Sequence, residues 1–223
     1  MIKILYQDDD IVVCEKPVGV LSQCDGSDDM PSLLSRQLGG QIYPVHRLDR
    51  NVGGVMVFAR TAKAAAALSS QIQNGAFVKR YLAAVQGIPQ PQAGEMRDWL
   101  FKDSHSGKSF AVNRSRKGTK EARLAYETLE TVDGKSLVLV RLFTGRTHQI
   151  RVQFASRQMP LLGDGKYGSR DKNSEIALWS YSIAFFHPVT SVPMCFHSLP
   201  ECGGYPWKMY ALHKNPPVSG IRD

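Results

Sequence analysis

Residues 44–59, PVHRLDRNVGGVMVFA, concentrate the groups best suited to chemistry. His46, Arg47, Asp49 and Arg50 lie within five residues. An aspartate between arginines is most often a solvated ion pair worth little. Here Gly53-Gly54 permits an unusual backbone bend just after it, and VMVFA reads as a strand buried on both faces. A carboxylate on a loop entering so rigid an element can be aimed into a cleft. A second cluster, FTGRTHQIRVQFA at 143–155, puts Arg146 at a turn, with Thr147 able to cap a helix over Arg146–Gln158. An arginine at a helix start opposes the helix dipole and calls for an anion, for which Asp49 is the candidate. Such a pairing would hold Asp49 ionised and suit it to nucleophilic attack rather than acid catalysis. A buried pair that only fixes the fold remains equally open from the residues themselves.

Other residues add possibilities. Tyr81, on the strand-like FVKRYLAAVQG, could stack on a base or simply pack in a sheet. Lys102, Lys108, Arg114, Arg116, Lys117, Lys120 and Arg123 crowd one segment against Asp103 and Glu121. With Gly107 and Gly118 it reads as a flexible basic loop able to track phosphates. LLGDGKYG at 161–168 lacks the spacing of a phosphate-binding loop, which excludes nucleotide hydrolysis of that type. The four cysteines form no metal-ligand or redox spacing, and no metal site is expected.

These groups need a scaffold. Strands are expected at Ile2–Tyr6 and Ile11–Glu15, and a short helix at Pro31–Leu38 that Gly39-Gly40 stops. Thr61 should cap an Ala-rich helix ending at Gly75 with Leu68 and Ile72 on its buried face. RLAYETLETVDGKSLVLVRLF reads as a hairpin turning at Asp133-Gly134. ALWSYSIAFFHP and VPMCFHSL follow as strands, and PWKMYALHK as a short helix. Neighbouring strands with a few helices between them indicate an α+β fold with a mixed, mainly antiparallel sheet. One domain over 1–223 is expected. The net charge of +8 favours a polyanionic partner, nucleic acid above all. Neither a signal peptide nor a membrane span is visible, and a cytoplasmic, monomeric protein is expected.

The ordered motifs resemble those of the RluA-type RNA pseudouridine synthases. HRLDRNVGGVMVFA is similar to that family's H-R-L-D-x-x-T-S-G motif followed by apolar residues, and GRTHQIRVQ to G-R-T-H-Q-I-R-V-H. EKPVGV, ahead of these, and KRYLAAVQG, GDGKYG and FFHP also fall in the family's order, and by the same resemblance no N-terminal accessory RNA-binding domain is expected. The resemblance implies a uridine isomerase acting on tRNA or large-subunit ribosomal RNA without cofactor, with base flipping. It implies Asp49 as the catalytic aspartate, Tyr81 as the ring that stacks on the flipped base, and Arg146 as the aspartate's partner. Ile150 would wall the uracil pocket. Lys16, His46, Arg47, Lys102, Lys108, Arg114 and Arg116 are expected to hold the RNA; DNA and membranes are not expected partners.

The chain departs from the pattern at Val52 and Gly53, where the family has Thr and Ser, and at Gln153, where it has His. LWS stands where many relatives read L-H-A. The departures motivate an alternative, a catalytically inactive RNA-binding or RNA-folding protein of the same fold. A glycosidase would need a second carboxylate, for which Asp164 is a remote candidate.

Overall fold

In a computed structural model the described residues are 1–23, 28–212 and 216–217. In chain order the strands and helices are β1 (Lys3–Gln7), β2 (Ile11–Lys16), α1 (Met30–Leu38), β3 (Tyr43–Pro44), β4 (Gly53–Ala59), α2 (Ala62–Gln73), β5 (Val78–Gln86) and β6 (Ala93–Asp103). They continue with β7 (Lys108–Val112), β8 (Thr119–Val132), β9 (Lys135–Leu142), α3 (Gln149–Ala155), β10 (Leu178–Phe186) and β11 (Pro193–His197). Cys24 lies outside the described residues. The chain forms two compact units, Met1–Lys79 with Trp179–Pro200, and Arg80–Leu178 with Glu201–Asp223.

In the first unit β1, β2, β4 and β10 are neighbours in that order, with β3 also on β4 and β11 on β10. All of these pairs are antiparallel except β4 with β10, so the sheet is mixed. Every residue of β4 is buried, as its unbroken apolar run requires. One face packs Val55 and Val57 with Ile11, Val13, Phe77, Ile183 and Phe185 against Leu68 of α2. That helix begins as its sequence demands: the Thr61 hydroxyl accepts the Ala64 N–H at 3.1 Å, and Gly75 follows its end at φ +81. In α1 the cap is Asp29, whose carboxylate accepts the Ser32 N–H at 2.9 Å. The motif FFHP closes this unit on itself, because His187 Nε2 meets Asp8 Oδ2 at 2.9 Å while Nδ1 accepts from Thr190 N–H at 3.1 Å.

In the second unit the order is β5, β9, β8, β6, β7. Asp133 and Gly134 both take positive φ, 49 and 69, and so make the tight turn between β8 and β9. Two expectations are corrected here. The basic stretch is not a loop throughout: Lys102 and Asp103 end β6, Lys108–Val112 is β7, and β8 starts at Thr119. Lys102, Lys108, Lys120 and Arg123 sit on strands, whose alternate residues face solvent and read, in one dimension, like a solvated run; Arg114, Arg116 and Lys117 lie in the connection between β7 and β8. Secondly, PWKMYALHK holds only a single 3-10 turn, Trp207–Met209, and its last residues lie outside the described ones.

Candidate active site

In the first unit Asp49 stands half-buried in the turn between β3 and β4, where Val52 N–H donates to the Asp49 carbonyl at 3.0 Å. This loop is bound to the β2 end by a cation. Lys16 is fully buried, and its ammonium donates to the carbonyls of Pro17 (2.9 Å), Val20 (2.6 Å) and Arg50 (3.1 Å). Three acceptors match the three donors of an ammonium, so a donor-only group fits a cage of carbonyls. Burial pushes this amine down to about 8, against the pull of the Asp49 carboxylate, which favours its charged form. Lys16 therefore stands inside the loop's support rather than on a surface open to RNA.

The residues around Asp49 are similarly committed. Arg50 Nε donates to the Gly19 carbonyl at 2.9 Å, and Gly19 N–H returns to the Arg50 carbonyl at 2.9 Å. The Ser22 hydroxyl donates to the Leu48 carbonyl at 2.8 Å and accepts the Leu48 N–H at 2.9 Å. His46 Nε2 accepts the Val57 N–H at 3.2 Å, which leaves the ring proton on Nδ1; that atom has no hydrogen-bond partner among the described residues. Burial, with Lys79 nearby, drives the imidazole down to about 3, so it is neutral, packed 5.5 Å from the Phe77 ring. Arg47 is exposed.

Gly53 and Trp179 explain two departures at once. They are register partners on β4 and β10, and a Cβ on Gly53 would lie 2.3 Å from the Trp179 ring. The indole occupies the space a serine would need, and its Nε1–H donates to the Ser198 carbonyl at 3.0 Å. Gly54, at φ +117, is pressed against backbone, with its missing Cβ also 2.3 Å from its nearest neighbour, the Ser180 carbonyl oxygen. Val52 is simply buried.

In the second unit Tyr81 is buried on β5, and Ile150 is buried in α3. Arg146 precedes that helix, exposed, with its Nε donating to the Glu121 carbonyl at 2.7 Å. The helix is shorter than expected and Thr147 does not cap it. Its first residue is Gln149, preceded by His148 in the left-handed region at φ 56. The helix has no side-chain cap; the Gln149 side chain instead ties its start to the turn before it, where its Oε1 accepts from Arg146 N–H (3.0 Å) and the Thr144 hydroxyl (2.8 Å), and its Nε2 donates to the Arg123 carbonyl (3.1 Å). No apolar-periodicity signal distinguishes a glutamine doing this from one facing water. Gln153 is fully buried and donates to Asp98 at 2.7 Å, binding α3 to β6. Asp164 forms a buried two-pronged pair with Arg151 (2.7 and 2.8 Å), under which the Tyr167 ring lies 5.0 Å away. The carboxylate a glycosidase would recruit is thus engaged in the fold. Lys102, Arg114 and Arg116 are exposed and Lys108 is half-buried.

The family model described as RNA pseudouridylate synthase matches residues 10–156, from β2 through α3. The chain belongs to this family. Among curated relatives, an uncharacterized RNA pseudouridine synthase of Mycobacterium tuberculosis is 35% identical over 83% of this chain and 65% of its own length. The tRNA pseudouridine synthase C of Haemophilus influenzae is 31% identical over 85% of this chain and 89% of its own. The chain spans about two thirds of the length of several relatives, 66% for one from Mycoplasma genitalium. Among solved structures, human RNA pseudouridylate synthase domain containing 4 superposes with a TM-score of 0.74 at 25% identity, covering 89% of each chain. Like this family member, it carries the α+β synthase fold. No helix among the described residues is long and apolar enough to cross a membrane.

Proposed function

We propose that this chain isomerises uridine to pseudouridine in structured RNA, tRNA or large-subunit ribosomal RNA, acting as a cytoplasmic monomer. The N1–C1′ bond breaks, the uracil turns, and C5 bonds to C1′ while the C5 proton leaves and N1 takes one up, so no atom is gained or lost. Asp49 is the nucleophile, Tyr81 the ring under the extruded base, and Arg146 the aspartate's partner. Arg47, Lys102, Lys108, Arg114 and Arg116 contact phosphates, and Ile150 lines the uracil site. The observation that carries the reading is the motif-by-motif family match with an aspartate loop locked by a buried lysine. The names of the human domain and of the Haemophilus relative support the same substrate class. Asp49→Asn should abolish pseudouridine formation in total RNA while RNA binding persists; undiminished turnover in that variant refutes the assignment. Pseudouridine maps from wild-type and deletion strains identify the uridine.

A further inference from the structure

The strands β6, β7, β8 and β9 have two unlike faces. One is covered: Leu100 and Ala122 pack on Val152 of α3, with Ala111 and Tyr167 beside them, and Asp98 bonds to Gln153 and Arg157. Side chains alternate across a strand, so Phe101, Arg97, Arg123 and their register partners lie on the other face. There Phe101 stands opposite Phe110, and Phe110 is 46% exposed. Arg116 lies over the Phe101 ring at 5.3 Å. Phe143, 39% exposed just beyond β9, has Arg123 over it at 4.4 Å and Arg141 at 5.2 Å. Glu95 holds Arg123 through two hydrogen bonds of 3.1 and 2.9 Å, and Glu121 pairs with Arg97.

A solvated sheet face needs neither exposed phenyl rings nor arginines set over them. Four arginines, Arg97, Arg116, Arg123 and Arg141, against Glu95 and Glu121 leave positive charge on this face. Rings and guanidinium planes together are what unpaired bases stack on, and the cationic excess attracts their phosphates. We propose that this open face is an RNA-binding surface that stacks unpaired bases on Phe110 and on the arginine-capped Phe143. It deepens the proposed function and rests on it, in that the RNA it grips is the RNA the enzyme modifies. It lies wholly within the second unit.

The test uses the full chain and two probes, a short single-stranded oligouridine and a fully paired RNA duplex of equal length. Phe110→Ser and Phe143→Ser should each weaken oligouridine binding roughly ten-fold and barely change duplex binding. Phe110→Trp, which keeps a stacking face, should bind as the wild type does. Unchanged oligouridine affinity in both serine variants overturns the proposal, as does equal weakening toward both probes. Sedimentation provides another arm: a change in oligomeric state on serine substitution with unaltered RNA binding gives the face to a second copy of the chain instead. Pseudouridine formation by the wild type is scored separately. If none forms, the isomerase reading fails whatever the serine variants do; if it forms and they bind normally, this surface alone fails.

Discussion

The Asp49 loop and the Arg146 turn are both irregular segments held by one inward side chain, yet by opposite chemistries. Around Asp49 the backbone presents carbonyls, from Pro17, Val20 and Arg50, and the group that satisfies them is an ammonium with donors only. Around Arg146 the backbone presents an N–H and a carbonyl, beside the Thr144 hydroxyl, and the group that satisfies them is the neutral amide of Gln149. The lesson is that a loop's polarity selects its clamp. The carboxylate in turn favours the charged form of that buried amine, whereas a cation at the Arg146 turn would add to the arginine's own charge.

The sharpest break comes from Lys16→Met, which takes the donor from the Pro17 and Val20 carbonyls, while the Arg50 carbonyl keeps the Gly19 N–H, at a cost of about 3 kcal/mol. Turnover should fall roughly a hundred-fold, as misplacing a catalytic group can do. A melting curve and single-turnover assay measure both; loss of stability without loss of rate would mean the clamp does not position Asp49. Gly53→Ser attacks the same loop by overpacking against Trp179, costing about 2 kcal/mol. Trp179→His in the same chain should restore much of it, and a double-mutant cycle measures the coupling. Across the comparison, Gln149→Leu should cost about 2 kcal/mol and roughly ten-fold in turnover. There Gln149→Glu keeps the acceptor half and should fall between.

Proton binding separates the two clamps further, since only one of them titrates. The folded Lys16 sits near 8 and the unfolded near its ordinary 10.5, so between those values the unfolded chain carries the extra proton. This group's contribution to stability therefore rises with pH through that window, while a neutral amine loses one of its three donors. Turnover should decline above about pH 8 with no matching drop in melting temperature from this residue. His46 works at the other end: held to about 3 against an ordinary 6.5, it makes the fold lose stability as pH falls between them. The smallest effect belongs to Thr61→Ala, outside both loops, which should cost about 1 kcal/mol and leave turnover intact.

Much of this was legible in the residues. Asp133-Gly134 and Thr61 announced their turn and cap because the decisive interactions are local. Asp49 stood out through its company, and β4 through its unbroken apolar run. What escaped depends on partners distant in sequence. Lys16 looks like any basic residue until Arg50, 34 positions away, supplies an acceptor. Gly53 looks like a lapse from the family pattern until Trp179 is placed against it. The α3 start lies later than Thr147 because His148 takes the left-handed conformation and the Gln149 side chain holds the turn before it. The β6–β7 hairpin hid because a cationic sheet face alternates like a solvated loop.

The first unit is assembled from two stretches separated by 99 residues, Arg80 to Leu178. A ribosome therefore releases the aspartate loop long before it delivers β10, the parallel neighbour that seats Trp179 on Gly53 and offers the Ser180 backbone to Gly54. Until then one edge of β4, wholly buried in the finished protein, has no such partner. Nascent chains should acquire protease resistance in this region only after Phe186 has cleared the exit tunnel, so that the earliest-made motif is among the last to become competent.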